Sequence, residues 1–186
     1  MTPMAKRAIV VLAEGFEEIE AITPVDMLRR AEVATELVGL DTTEVVGAHG
    51  VVFRADRVLG NAEQVDAIIL PGGLPGADHL AASERLASAL RAQAASGGLV
   101  AAICASPAWV LAPLGLLDGK RATCYPGCEE RFGPSTTHVD GAVVRDGNIL
   151  TSRGPGTAFA FGLALVQELA GEQAADELAQ GMLCTG

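Results

Sequence analysis

Cys104 is the residue best placed to do chemistry. It closes the apolar run Leu99–Ile103 (LVAAI) and precedes Ala105-Ser106-Pro107, where a helix is expected to begin. Strand, tight turn and helix with a thiol at the tip make a nucleophile elbow, and small residues around the tip suit so sharp a turn. The following helix would aim free N–H groups and its positive end at the sulfur, favouring the thiolate. That field is worth ~0.3–1 kcal/mol, at most roughly one pKa unit. A thiol near its reference value is only a few per cent ionised at pH 7. A second donor is therefore required.

Two other segments can supply it. Leu70 ends a short apolar run and is followed by Pro71-Gly72-Gly73. Two glycines let backbone approach a ligand closely. A backbone N–H there, with that of Ala105, would form an oxyanion hole, each donor worth ~10²–10³-fold in rate. Glu17, Glu18 and Glu20 follow the first apolar run in Glu14-Gly15-Phe16-Glu17-Glu18-Ile19-Glu20. Residues three apart share a helix face, so Glu17 and Glu20 can address one pocket. Two carboxylates beside a thiolate cannot all ionise, and one should stay protonated and donate a hydrogen bond, worth roughly 1.5–3 kcal/mol. The alternative is an acidic helix start favoured by the dipole alone.

The remaining candidates carry less. Cys124 and Cys128 are four apart, but His49, His79 and His138 show no paired ligand spacing. No structural metal is expected. Lys6-Arg7 precede an apolar run of only Ala8–Ala13, too short for an export signal. A cytoplasmic setting and free thiols are expected rather than a disulfide framework. His79 and His138 read as surface residues.

The elements that must hold these groups follow from composition and pattern. The chain has 186 residues, 49% apolar and 19% charged, with 4% aromatics. Disorder is excluded. A core of Ala, Val, Leu and Ile favours parallel strands covered by helices. The net charge of −10 repels phosphate backbones, so nucleic-acid binding is not expected. Residues 92–117 are uncharged but interrupted by Gly97-Gly98, Ser106-Pro107 and Pro113. They read as strand, turn and helix rather than a membrane span. Strands are expected at 7–13, 33–40, 66–70, 99–103 and 121–124, with Val45-Val46 and 51–58 as a hairpin and another about Asp146-Gly147. Helices are expected at 17–31 with a break at Thr23-Pro24, after the Pro71-Gly72-Gly73 turn as far as about Ala95 with Ser83 as an internal cap, and at 107–117, 157–170 and 172–182. The alternation implies a single doubly wound α/β domain over 1–186, its ligand site beyond the carboxyl ends of the strands.

Together the segments Glu14–Ala21, Pro24-Val25-Asp26, Leu70–Gly73, Ala101–Ala105 and Thr151-Ser152-Arg153-Gly154-Pro155-Gly156-Thr157 resemble the ThiJ/PfpI family, the DJ-one superfamily, and within it the DJ-one branch. The match is colinear over nearly the whole chain. The resemblance implies a flavodoxin-like sandwich with a mainly parallel sheet, and a homodimer with the first helix, including Met27, at its interface. It implies Cys104 as the reactive, oxidisable nucleophile, Glu20 as its protonated partner, and Gly73 and Ala105 as oxyanion-type backbone donors. Glu17, Gly72, Tyr125 and Arg153 are further pocket candidates, Arg153 equally as a tether of the Gly-Pro-Gly loop. The chain departs from many members in having Tyr125 where they have a His, and His49 where several have an Arg. The missing His argues against the peptidase and amidase branches.

The activity so implied is cofactor-free handling of a small aldehyde: a glutathione-independent glyoxalase, or a deglycase acting on methylglyoxal adducts. The rival reading is a redox-sensing, chaperone-like protein in which Cys104 is oxidised to sulfinate. Cys124 and Cys128 read as incidental thiols or as resolving partners for oxidised Cys104.

Overall fold

A computed structural model describes residues 6–184. The first strand, β1 (Arg7–Leu12), explains the architecture. Its neighbours alternate sides: Ala8, Val10 and Leu12 join a core with Phe16, Met27, Phe161 and Leu165, whereas Ile9 and Val11 join another with Leu80, Leu86, Leu90 and Leu111. A strand buried on both faces must be apolar throughout. The same holds for β6 (Ala67–Leu70) and β7 (Leu99–Ile103), buried at every position.

With β2 (Ala34–Gly39) and β11 (Ile149–Ser152), these strands form a parallel array in the order β2-β1-β6-β7-β11. That is the flavodoxin order, with its switch point between β1 and β6. β10 (Val143–Asp146) pairs antiparallel with β11 through the expected Asp146-Gly147 turn, and β5 (Arg57–Val58) extends the other edge, giving seven strands. Helices α1 (Glu18–Arg30), α4 (Ala158–Ala170) and α5 (Glu172–Gly181) form one layer; α2 (Gly76–Ala81) and α3 (Glu84–Ala95) cover the other face.

Several elements differ from expectation. α1 runs unbroken through Pro24, which is buried with Thr23 and Val25; tertiary packing overrides the local break signal. Ser83 ends α2 and caps α3 through Leu86 N–H, so one expected helix is two. The helix expected over 107–117 is a five-residue π-helical turn, Pro107–Leu111, followed by irregular turns. The expected 51–58 strand divides: β4 (Val52–Arg54) forms a hairpin with β3 (Glu44–Val46), while β5 joins the main sheet. The Asp56 carboxylate makes that division, accepting from Leu37 N–H and from Arg29. The strand expected at 121–124 is only β8 (Arg121–Ala122), paired with β9 (Thr137–His138). No helix among the described residues is long and apolar enough to cross a membrane.

Candidate functional site

Cys104 follows β7 with φ +65°, left-handed backbone that a side chain rarely adopts. The strain is held from both sides. Cys104 N–H donates to Ser152 C=O at 3.0 Å, and its own C=O accepts from Tyr125 N–H at 2.9 Å. Ser106, fully buried, donates its hydroxyl to Pro71 C=O and fastens the elbow to the glycine turn after β6. The elbow read from sequence is present.

The glycine turn presses onto it. A Cβ on Gly72 would fall 2.6 Å from Cys104 Cβ, 2.9 Å from Glu20 Oε2 and 3.0 Å from Ala105 N, so no side chain fits there. Gly73 has φ +89° and abuts Glu17 N and Gly15 O. Its N–H and that of Ala105 act on the Cys104 thiol, favouring its ionised form.

Glu20 comes up from the first turn of α1 and is fully buried. Its Oε2 accepts one N–H, from Gly72, at 2.8 Å. Oε1 is buried without a hydrogen-bond partner, and the carboxyl and the Cys104 thiol act on one another. Burial raises the carboxyl to about 7, with the Glu17 charge adding to the rise and the Gly72 and Cys104 hydrogen bonds opposing it. A carboxyl there is poised for proton transfer at neutral pH.

The thiol does not match the sequence expectation of a dipole-acidified group. Burial, the Glu20 charge and the hydrogen bond to Glu20 push it well above its ordinary value, against the Gly73 and Ala105 N–H groups. The helix meant to supply the dipole is a single π-helical turn, too short for a large field. Cys104 and Glu20 therefore titrate as a pair: above about pH 7 they share one negative charge and one proton.

The other carboxylates have different tasks. Glu17 is the N-cap of α1 and accepts from Glu20 N–H at 2.8 Å; it borders the site as a cap and a charge. Glu18 accepts from His49 N–H and pairs with His49 Nδ1 at 2.8 Å, tying α1 to the loop of the β3–β4 hairpin. Sequence reasoning missed this pairing. Tyr125 is half exposed and lies against Gly154, so its backbone, not an imidazole, reaches the elbow. Arg153 pairs with Asp140, which fits the tether reading, and its charge acts on Cys124. His79 and His138 are exposed, as expected. Ser152 was read only as part of a motif; a polar residue ending an apolar strand was the available signal.

Residues 6–168 match the DJ-1/PfpI family. The chain belongs to that family. It is 42% identical over 184 residues to protein dj-1beta of Drosophila melanogaster, covering 97% of this chain and 98% of that protein. It is 36% identical over 177 residues to a Caenorhabditis elegans protein named glutathione-independent glyoxalase DJR-1.2, covering 93% and 94%. Among solved structures, Toxoplasma gondii DJ-1, described as oxidized, superposes with a TM-score of 0.92 at 38% identity, covering 96% of this chain and 98% of that one. The family thus includes a glyoxalase, and the resemblance read from the separated motifs holds along the chain.

Proposed function

We propose that this protein is a glutathione-independent glyoxalase that converts small α-oxoaldehydes such as methylglyoxal to 2-hydroxy acids, without a cofactor. One observation carries the reading: the fully buried Glu20 carboxyl keeps one oxygen without a partner, and burial pushes the group up to about 7 beside the Cys104 thiol that acts on it. Isomerising a hemithioacetal needs a nucleophile and, within reach, a base that can also return the proton.

The steps follow from that pairing. Cys104 passes its proton to Glu20 and its sulfur bonds to the aldehyde carbon. The carbonyl electron pair moves to oxygen, which takes the proton back from Glu20. Once bonded to carbon the sulfur no longer carries charge, so the Gly73 and Ala105 N–H groups can turn to the new oxygen. The Glu20 carboxylate then removes the proton from the former aldehyde carbon and the electron pair flows to the ketone oxygen. The hydroxyl proton passes from the first oxygen to the second, and Glu20 reprotonates the adjacent carbon as the first carbon regains its carbonyl. The product is a thioester of a 2-hydroxy acid. Water attacks its carbonyl carbon, the carbon–sulfur bond breaks, and lactate leaves with the thiol pair restored. The balance is methylglyoxal plus water to lactate.

The test is lactate formation followed by NMR with pure protein. Cys104→Ser should abolish it, and activity surviving that change would refute the reading. Deglycase activity is assayed on the same protein with a glycated thiol, corrected for free methylglyoxal released from the adduct. Oxidation-dependent suppression of aggregation without turnover would favour the redox-sensing alternative instead, with protonated Glu20 donating to a Cys104 sulfinate.

We further propose a homodimer through α1. Met27, expected at the interface, is fully buried against Gly162 in α4. The outward apolar residues of α1 are Ile19 and Ile22, and Val51 and Val52 are exposed on the hairpin. Light scattering at micromolar concentration should give twice the chain mass.

A further inference from the structure

The segment between β8 and β10 is held by little regular structure, yet it assembles three different metal-ligating side chains. Cys124 lies two residues beyond β8 and is fully buried. Glu129 sits in the 3₁₀ turn Cys128–Arg131. His138 ends β9, whose register sets it opposite Ala122. Sequence spacing alone showed no ligand pair, because a parallel pairing brings His138 back across 14 positions. The thiol, a carboxylate oxygen and a ring nitrogen lie within 4.8 Å of one another, and Cys124 Sγ is 4.0 Å from Glu129 Oε2.

These distances suit a small ion. Ligands of a tetrahedral zinc stand about 3.5 Å apart, given bonds of about 2.0–2.3 Å. Closure by roughly 1 Å is required, and His138 is exposed and Glu129 partly so. Gly127 N–H already holds Glu129 Oε2 at 2.7 Å, orienting the carboxylate in the way outer partners orient metal ligands.

We infer that Cys124, Glu129 and His138 bind a borderline divalent cation of the zinc type, with water as fourth ligand. One sulfur, one nitrogen and one oxygen donor select Zn²⁺ or Co²⁺ over Mg²⁺ and Ca²⁺, which require oxygen throughout. Binding replaces the Cys124 S–H bond by a sulfur–metal bond and releases that proton to solvent. The ion would join β8, the 3₁₀ turn and β9. Tyr125, next to Cys124, donates its N–H to Cys104 C=O, so the site would brace one side of the elbow. This inference does not rest on the glyoxalase reading.

The test uses the full chain without an affinity tag, stripped with chelator and titrated with Co²⁺, then Zn²⁺. The expected result is one equivalent of Co²⁺ with a thiolate-to-metal charge-transfer band and the visible absorption of a four-coordinate ion, displaced by Zn²⁺. Cys104→Ser should leave the band intact. His138→Asn, at an exposed position that leaves the core untouched, should weaken binding about 100-fold or more, as should Glu129→Gln. Absence of the band, its loss in Cys104→Ser, or its persistence at full affinity in His138→Asn overturns the inference.

Discussion

Two enclosed carboxylates receive opposite treatment in this molecule. At the sheet edge, Glu63 meets Arg57 through two hydrogen bonds of 2.9 Å and accepts a third from Gly60 N–H. Burial alone would raise it, but the guanidinium and that N–H outweigh it and hold Glu63 below its ordinary value. Beneath the glycine turn, Glu20 is fully buried, receives one backbone N–H, and has no cation among the groups acting on it. It rises to about 7. The edge carboxylate is a permanent charge that joins Arg57 to the loop after β5. The central one is kept able to change its charge, and that ability, rather than the charge, is what proton transfer needs.

The sharpest break of this comparison is at the thiol. Cys104→Ser should reduce lactate formation by about 10⁴-fold or more, the cost of losing a nucleophile from a unit that acts together. Glu63→Gln should leave turnover unchanged. Glu20→Gln should lower turnover by roughly 10²–10⁴-fold, since it retains shape and a donor but cannot move a proton. The same change removes the charge that raises the thiol. The Cys104 titration, followed by thiolate ultraviolet absorbance, should move to lower pH. An unmoved titration would mean that the carboxylate does not act on the sulfur, and unmoved turnover would refute the mechanism.

In wild type, the value of kcat/KM should climb about tenfold per pH unit up to about pH 7 and flatten above it, as the Cys104–Glu20 pair acquires its charge. A profile flat from pH 5 to 8 would place the essential proton elsewhere.

Stability should respond with opposite signs at the two carboxylates. Glu20 has a folded pKa of about 7 against a reference of 4.5. The folded state holds that proton more tightly, so its contribution is complete below pH 4.5 and is lost as pH rises to about 7. The loss is about 3 kcal/mol. Glu20→Gln should therefore be more stable than wild type at pH 8 by up to that amount, with the difference vanishing near pH 4.5. Glu63 is lowered, so its contribution is present above 4.5 and lost as pH falls through its folded value. Glu63→Gln should cost about 1–2 kcal/mol at pH 8 and little in acid, Arg57 being partly exposed. Urea midpoints at the two pH values for both variants measure the four numbers.

Much of this arrangement is legible in the sequence. β1, β6 and β7 were readable because strands buried on both faces must be apolar at every position, and α4 ends at Gly171 as its sequence signals. The elbow at Cys104 was readable because strand, small residues and Pro107 occur in that order. Pro24 was not, since its tolerance inside α1 comes from burial against other elements. The direction of the Cys104 shift was not, because dipole and burial oppose each other and only the fold sets how completely Glu20 is enclosed. Nor were the separate fates of Glu17, Glu18 and Glu20. They share a stretch of four residues, and what distinguishes cap, loop anchor and proton carrier is the hairpin and the glycine turn that arrive from elsewhere in the chain.

The elbow is gripped at both its N–H and its C=O, by Ser152 and Tyr125, and roofed by a residue that has no side chain to withdraw. A reagent reaching Cys104 meets walls that do not recede. Competition between electrophiles at this cysteine should thus be governed by girth. A slender but sluggish probe should outpace a bulky, intrinsically faster one, and a series of graded cross-section would calibrate the opening as a caliper does.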